Sequence, residues 1–377
     1  MSHKFKIIRA CTVPQSLGFV KGMIPDLQEK YEVALLSSSG SEWNAIREMY
    51  PDVKCIVVDM ERHISPLKDL KALWLLWRVF RKEKPQIVHS MTPKAGMLCM
   101  VAAWLALVPR RVHTFTGLVF PTSVGLKRKI LMAADWLTCI CATHIIPEGE
   151  GVKRDLLCNG IAKKPIKVLG YGNVKGIDLE YFARTTDVMS DAAKIRKDDV
   201  MTFISIGRLV GDKGINELVS AFVRLNKENS NTRLILVGAY EEHLDPIRSD
   251  TKQEIANNTA IEYVGRKSDV RPWLAASDVA ILASYREGFP NVVIEAGAMG
   301  LPQIVTDING ANEIIQEGKN GTIVPSRNED ALYNGKKRML DAKYRNSLAA
   351  KAREMIATRY EQGYVRQCLL DFYNEIQ

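Results

Sequence analysis

Met201–Gly214 reads MTFISIGRLVGDKG and runs straight into INELVSAFVRLNK, ending at Lys227. The first six residues are apolar or β-favouring, as a buried strand requires. Gly207 and Gly211 then break the run, and Ile215, Leu218, Val219 and Phe222 recur at helical spacing. Strand, glycine-rich turn and helix make the opening of a βαβ unit, and this one begins more than halfway along a 377-residue chain. The pattern continues with strands at Arg233–Val237, Ile261–Val264, Asp278–Leu282 and Gln303–Thr306, separated by helices at Ile215–Lys227 and near Ile247–Asn257.

Upstream, Gly170–Asp178 is glycine-rich and Arg184–Asp199 is polar without a period, so a linker is expected over 176–199. Before it the same alternation occurs independently. Strands are expected at Lys6–Ala10, Glu32–Leu36, Lys54–Val58, Gln86–His89, Arg111–Phe115, Thr143–Pro147 and Ile166–Leu169. The intervening helices are Gly18–Gln28, Glu42–Met49, Leu67–Lys82, Ala95–Leu107, Val124–Leu137 and Gly149–Leu157. Two such arrays predict an α/β protein of two doubly wound, parallel-sheet, Rossmann-like domains, 1–175 and 200–359, facing across a cleft. The length suits two cores rather than one.

The formal charge of +9 is uneven: residues 1–190 hold 27 Lys and Arg against 17 Asp and Glu, leaving the remainder near −1. A basic first half suits phosphorylated ligands, nucleic acid or an anionic membrane, or is solvated surface with no partner. Seven scattered cysteines form no Cys-x-x-Cys pair and no metal-ligand spacing, which reads as reduced thiols and a cytoplasmic setting. The start of the chain runs directly into a strand, with no signal-peptide pattern. Its longest apolar run, Met97–Val108, ends at Pro109 and is too short to span a bilayer.

Two motifs carry chemistry. Arg208 and Lys213 flank the carboxyl end of the Met201–Ile206 strand and the start of its helix, where two cations and a helix dipole suit a pyrophosphate. The loop matches neither a Walker A loop nor a G-x-G-x-x-G fingerprint, and alone it is equally an ordinary solvated turn. Glu287–Glu295 reads EGFPNVVIE: two carboxylates eight positions apart bracket a turn that enters a helix. Carboxylates accept from hydroxyls and a helix N-terminus binds phosphate, so together they suit a nucleotide sugar. The plain alternative makes Glu287 a loop charge and Glu295 a helix-surface residue.

Taken together these residues resemble the family 4 glycosyltransferases of GT-B fold, over nearly the whole chain and most closely in Ser205–Gly214 and Ser284–Pro302. The resemblance implies that Arg208 and Lys213 hold the donor diphosphate, Glu287 the donor sugar's hydroxyls and Glu295 the ribose. Gly288 and the amides of Phe289, Asn291 and Val292 would contact sugar and phosphate, and Arg266 the base. Gly18 would allow close approach of a phosphate or acceptor, although a turn glycine reads as well. His89–Gly96, HSMTPKAG, looks like a loop of bacterial enzymes that lengthen lipid-linked oligosaccharides, where Lys94 would meet a phosphate. His89 itself reads as a structural hydrogen bonder.

The match departs at His113-Thr-Phe-Thr-Gly117: many relatives carry a histidine where this chain has Thr116, and His113, expected by the resemblance to contact substrate, falls on the strand face opposite Thr116 and is no simple replacement. Thr116 can hydrogen-bond a sugar but is no base near neutral pH. The implied reaction is retaining transfer of a hexose or N-acetylhexosamine, from a donor expected to be UDP-linked, to a lipid-diphosphate-linked sugar. It would serve surface polysaccharide assembly, capsule or lipopolysaccharide, at the inner leaflet. The resemblance implies no metal or other cofactor, and no Asp-x-Asp at a strand end competes for a metal role; no carboxylate nucleophile is evident, so a double-displacement route is the weaker option. Relatives also imply a last helix, about 360–377, packed back on the first domain. Leu67–Lys84, LKDLKALWLLWRVFRKEK, is amphipathic, basic and aromatic, and either lies on a membrane or packs on the sheet with its polar face wet. Val124–Leu137 is a second segment of this kind. Two other classes stay open. A UDP-N-acetylglucosamine 2-epimerase shares the fold, but the six histidines show no matching arrangement. A nucleic-acid-binding module would explain the charge, but the aromatics form no stacking platform.

Overall fold

The computed structural model describes residues 4–61, 63–241 and 245–377. The chain divides into two compact units: Met1–Lys175 with Val365–Gln377, and Gly176–Tyr364. Each is built on a six-stranded parallel sheet.

In the first unit the strands are β1 (Phe5–Ala10), β2 (Tyr31–Ser37), β3 (Lys54–Val57), β4 (Ile87–Met91), β5 (Arg110–Phe115) and β6 (His144–Pro147). They pair in the order β3-β2-β1-β4-β5-β6, so the winding reverses between β1 and β4. Strand alternation divides the core into two layers. Ile8, Ala10, Ala34, Leu36 and Val88 pack under helices Pro66–Glu83, Pro93–Leu105 and Gly125–Cys141. Ile7, Val33, Leu35 and Ile87 pack on the other face, under Ile24–Lys30, Glu42–Met49 and the end of the C-terminal helix Gln362–Glu375.

The second unit repeats the design with β7 (Met201–Ile206), β8 (Thr232–Val237), β9 (Ile261–Gly265), β10 (Val279–Leu282), β11 (Gln303–Thr306) and β12 (Gly321–Val324). Their order is β12-β11-β10-β7-β8-β9, and the reversal falls between β7 and β10. Ligands of such sheets bind beyond the carboxyl ends of the strands at that reversal, which singles out the loops after β7 and β10.

Three expectations need correction. The 176–199 linker holds a helix, Thr186–Ile195, capped by Thr185 accepting from Val188 N, with Val188 and Ala192 buried in the second unit's core. Val188, Ala192 and Ile195 recur at i, i+4 and i+7 on its core side, a stripe too short to stand out among the surrounding charges. Ile166–Leu169 makes only a bridge, Ile166 to Ile145, rather than a strand. Gly18–Gln28 is divided into 3-10 turns at Pro14–Phe19 and Lys21–Met23 and a helix at Ile24–Lys30, whose first turn accepts Pro25 because no N–H is needed there. The final helix, expected at about 360–377, runs Gln362–Glu375 and packs on the first unit as expected; Tyr360 closes the preceding helix, Ala342–Tyr360, and is buried against Phe289.

Candidate active site

The loops after β7 and β10 are stitched together. Lys213 Nζ donates to Glu287 Oε1, and Ser284 Oγ donates to the same oxygen at 2.8 Å. Tyr285 N donates to Asp212 O at 2.8 Å, and Arg286 pairs with Asp212 at 3.2 Å. Behind them Thr306 Oγ1 donates to Ser284 O at 2.6 Å, fixing the β10 loop to the end of β11. Gly214 makes the closest approach: with φ +66° it starts the helix Ile215–Glu228, and a Cβ there would lie 2.0 Å from Ala283 O. Lys213 and Glu287 are each about four-fifths covered.

Past Glu287, Gly288 lies in the turn and Phe289 turns its ring into the core against Tyr360, so only the backbone of Phe289 faces away from the core side. Gly310, in the loop after β11, presses on this turn; a Cβ there would lie 2.4 Å from Gly288 O. Helix Asn291–Ala298 begins after Pro290 with no side-chain cap. Asn291, Val292 and Glu295 are half-buried, and Asn291 and Glu295 share a face one turn apart. The structure thus brings Lys213, Glu287, the Gly288–Pro290 turn and a helix N-terminus together at the β7/β10 reversal.

Arg208 and Arg266 lie outside that junction's hydrogen bonds. Arg208 pairs with Glu241 at 2.7 Å, both partners substantially exposed. Arg266 is exposed just beyond β9, whose last residue, Gly265, accepts from Gly238 N.

In the first unit the expected residues are more scattered. Gly18 sits in the Pro14–Phe19 turn, exposed, with no heavy atom within 4 Å of where a Cβ would be, so no contact within the protein requires a glycine there. Thr116 follows β5 and is half-buried. Lys94 is not an open cation: its Nζ lies 2.6 Å from Asp69 on helix Pro66–Glu83, and both side chains are nearly covered. His113, expected to touch substrate, has no exposed ring. It accepts from or donates to Ser90 Oγ at 2.8 Å, stacks edge-on to Phe115 and lies under Gly96, where a Cβ would clash with it. Burial pushes its pKa down to about 3, so it stays neutral. His89 is a buried hydrogen bonder, with Nδ1 on Tyr373 OH and Nε2 on Thr114 Oγ1 at 2.7 Å. Burial, then the Arg9 charge, hold it well below the usual histidine range.

Sequence reasoning missed several partners. Ser284 was legible in principle, as a polar residue directly ending an apolar strand. Asp69, Thr306 and the Arg9–Tyr373–His89 network carry no local signal, because their partners are 22 to 364 residues away. Tyr285 donates to Glu217 at 2.7 Å, and burial followed by that carboxylate raises its pKa. Among the described residues no group of three or more His, Cys, Asp or Glu is placed to hold a metal ion.

The family model described as "Glycosyl transferases group 1" matches residues 189–355, and one described as "Glycosyl transferase 4-like domain" matches residues 20–172. The capsular polysaccharide biosynthesis glycosyltransferase CapM of Staphylococcus aureus is 30% identical over 372 residues, 98% of this chain and 97% of CapM. The UDP-Gal:alpha-D-GlcNAc-diphosphoundecaprenol alpha-1,3-galactosyltransferase of Escherichia coli is 29% identical, covering 79% of this chain and 78% of its own. The Anabaena protein HepE, solved in complex with UDP, superposes with a TM-score of 0.81 at 17% identity, covering 98% of this chain and 100% of HepE.

Proposed function

The chain belongs to the group 1, family 4-like glycosyltransferases of GT-B fold, and from that premise we propose that it moves a hexose or N-acetylhexosamine, with retention, from a UDP-linked donor to a sugar carried on a lipid diphosphate. The setting is bacterial surface polysaccharide assembly. The relatives named above support it: one builds capsule, another uses UDP-Gal and a diphosphoundecaprenol acceptor.

The observation that carries this reading is the Lys213–Glu287 junction at the β7/β10 reversal, directly ahead of the helix that begins at Asn291. A donor sugar with hydroxyls to give and a diphosphate to place suits it. In this reading Glu287 accepts from the sugar's hydroxyls, Glu295 from the ribose, and the amides of Phe289, Asn291 and Val292 meet sugar and phosphate. Lys213 and Arg208 offset the charge that builds on the departing nucleoside diphosphate, and Arg266 meets the base. Each cation must then exchange a carboxylate partner for phosphate: Lys213 leaves Glu287, which turns to the sugar, and Arg208 leaves Glu241. The acceptor hydroxyl attacks from the leaving-group side and passes its proton to the departing phosphate, so no protein base is needed at Thr116. Gly18, Thr116 and Lys94 serve the acceptor, Lys94 once released from Asp69. Two cations acting on the diphosphate leave no step that requires a divalent ion.

The test is turnover of the purified protein with UDP-Gal, UDP-Glc, UDP-GalNAc and UDP-GlcNAc and a short polyprenyl-diphosphate-linked GlcNAc, read by mass spectrometry with and without EDTA. A product of one added sugar, α-linked by NMR and insensitive to EDTA, is expected. Free epimerised sugar with no product would overturn the reading in favour of an isomerase.

A further inference from the structure

Arg9 lies where a cation is least expected. It follows Ile8 on β1, on the sheet face that packs Ile7, Val33, Leu35 and Ile87 beneath the C-terminal helix, and it is only 1% exposed. An arginine buried so completely ordinarily has a carboxylate beside it. Among the described residues none pairs with Arg9. Nη1 donates to Tyr373 OH at 2.9 Å and reaches Met23 Sδ at 3.9 Å, Nη2 reaches Met91 Sδ at 3.1 Å, and Nε has no partner. Thioether sulfurs are weak acceptors, so the charge of the guanidinium is left without a match.

The surplus of donors continues through its neighbours. His89 Nδ1 meets Tyr373 OH, and His89 Nε2 meets Thr114 Oγ1 at 2.7 Å. Burial keeps the ring neutral, and a neutral imidazole donates from one nitrogen and accepts at the other. It therefore takes up one of the two hydroxyl hydrogens and leaves one over. With Tyr373 donating to Nδ1, the hydrogen left over is that of Thr114, which has no other acceptor among the described residues. Arg9, His89 and Thr114 border a cavity of about 20 Å³, with Ile146, Leu169 and Leu369 on its apolar side. One water needs ~10–15 Å³ of such space. A water would accept from these groups, but it would bring two donors of its own and leave the positive charge unbalanced.

We propose that this cavity is a halide site, in which a single chloride lies against Arg9 Nε and the Thr114 hydroxyl and balances the guanidinium. Chloride accepts without donating, carries one negative charge and is only somewhat larger than a water, which is what the unspent donors and the space require. A polyatomic oxyanion would need donors for several oxygens, and few are left unspent here. The ion would join β1 to β5 directly, and through His89 and Tyr373 it would draw β4 and the C-terminal helix into the same network. Neither sugar donor nor acceptor enters this cavity, so the site stands apart from the proposed transfer. Its work is to hold the C-terminal helix on the first sheet.

The test is the melting temperature of the full-length protein across a chloride titration, with sodium gluconate holding the ionic strength constant, together with anomalous diffraction from bromide-soaked crystals. At 100 times its dissociation constant, chloride is expected to raise the melting temperature by ~5–11 °C over gluconate. Bromide is expected to give a peak within hydrogen-bonding distance of Arg9 Nε. Arg9→Met replaces the cation with an apolar side chain and is expected to melt alike in both salts, which separates the site from general salt effects. Thr114→Val keeps the cation and is expected to need roughly tenfold more chloride for the same rise. The proposal is overturned if the parent melts alike in both salts, if Arg9→Met keeps the parent's chloride dependence, or if Thr114→Val leaves the chloride requirement unchanged. A bromide peak without chloride dependence would be binding at crystal concentration only, and a water in the cavity would leave no peak; either result overturns it as well. Should Arg9→Met fail to fold, the parent's titration, the bromide peak and Thr114→Val still decide the matter.

Discussion

Gly214→Ala tests how the site is held together. Gly214 has φ +66° and starts the helix that follows the Lys213 loop, and an added Cβ would sit 2.0 Å from the Ala283 carbonyl oxygen. That oxygen is backbone at the end of β10, so it cannot swing aside. Relief requires the loops after β7 and β10 to part by about 1 Å. Two costs add: ~1–2 kcal/mol for a side chain in the left-handed region and ~1–3 kcal/mol for overpacking. A control separates them. Gly300 has φ +79° with no heavy atom within 4 Å of its would-be Cβ, so Gly300→Ala incurs only the first cost. The gain from restricting the unfolded chain is common to both substitutions and cancels.

The difference between the two variants is therefore ~1–3 kcal/mol. The second unit spans about 190 residues, a size at which each kcal/mol moves the melting temperature by ~2–4 °C. Gly214→Ala should thus melt ~2–12 °C below Gly300→Ala. It should also lose UDP affinity in calorimetry, because the parted loops move Lys213 away from the helix start at Asn291 with which it would hold the diphosphate, while Gly300→Ala keeps it. Equal melting temperatures would refute the close approach. A lower melting temperature with undiminished UDP affinity would refute the claim that this approach sets the site.

Glu287→Ala should cut transfer by roughly 10²–10³-fold with the fold intact by circular dichroism, and near-normal turnover would defeat its assignment to the donor sugar. Lys336, on helix Glu329–Met339, is fully buried and donates to Leu218 O at 3.0 Å; burial pushes its pKa down to about 7. Since the unfolded state keeps the proton up to about 10.5, stability rises with pH across about 7 to 10.5 and is reduced below that window. Lys336→Met should raise the melting temperature at pH 7 and remove this part of the rise; a variant that melts lower at pH 7 and keeps the parent's slope to pH 9 would show that the lysine is not the cause.

Much of the fold was legible because its signals are local. The apolar runs at Met201–Ile206 and Gln303–Thr306 and the helix Glu42–Met49 have the bounds their composition predicts. Where two signals competed, the reading slipped: Pro25, confined to a helix's first turn, starts the helix at Ile24, inside what apolar spacing alone joins into one helix at Gly18–Gln28. The polar stretch at 184–199 hid a helix because its core-facing stripe is short: Val188 and Ala192, with Ile195 half-buried beside them. Thr185 was its one clear herald, an N-cap residue three positions ahead of the amide it accepts from.

The site divides along the same line. Glu287, Gly288 and the helix start at Asn291 lie within nine residues of Glu295, so residue types and spacing sufficed to group them. Lys213 and Glu287 are 74 residues apart and meet only because β10 pairs with β7 rather than with β9. A sheet that kept sequence order would put β8 and β9 between them, roughly 10 Å of added separation at ~4.8 Å per strand, and no hydrogen bond would form. The two loops become one site through the reversal in strand order, which composition does not encode residue by residue. The same reasoning explains Lys94: its loop reads as an open cation until Asp69, from the preceding crossover helix, is brought beside it by the β1/β4 reversal and the packing of that helix on its neighbour. A motif therefore fixes which chemistry a loop carries, and topology decides which charges arrive already paired.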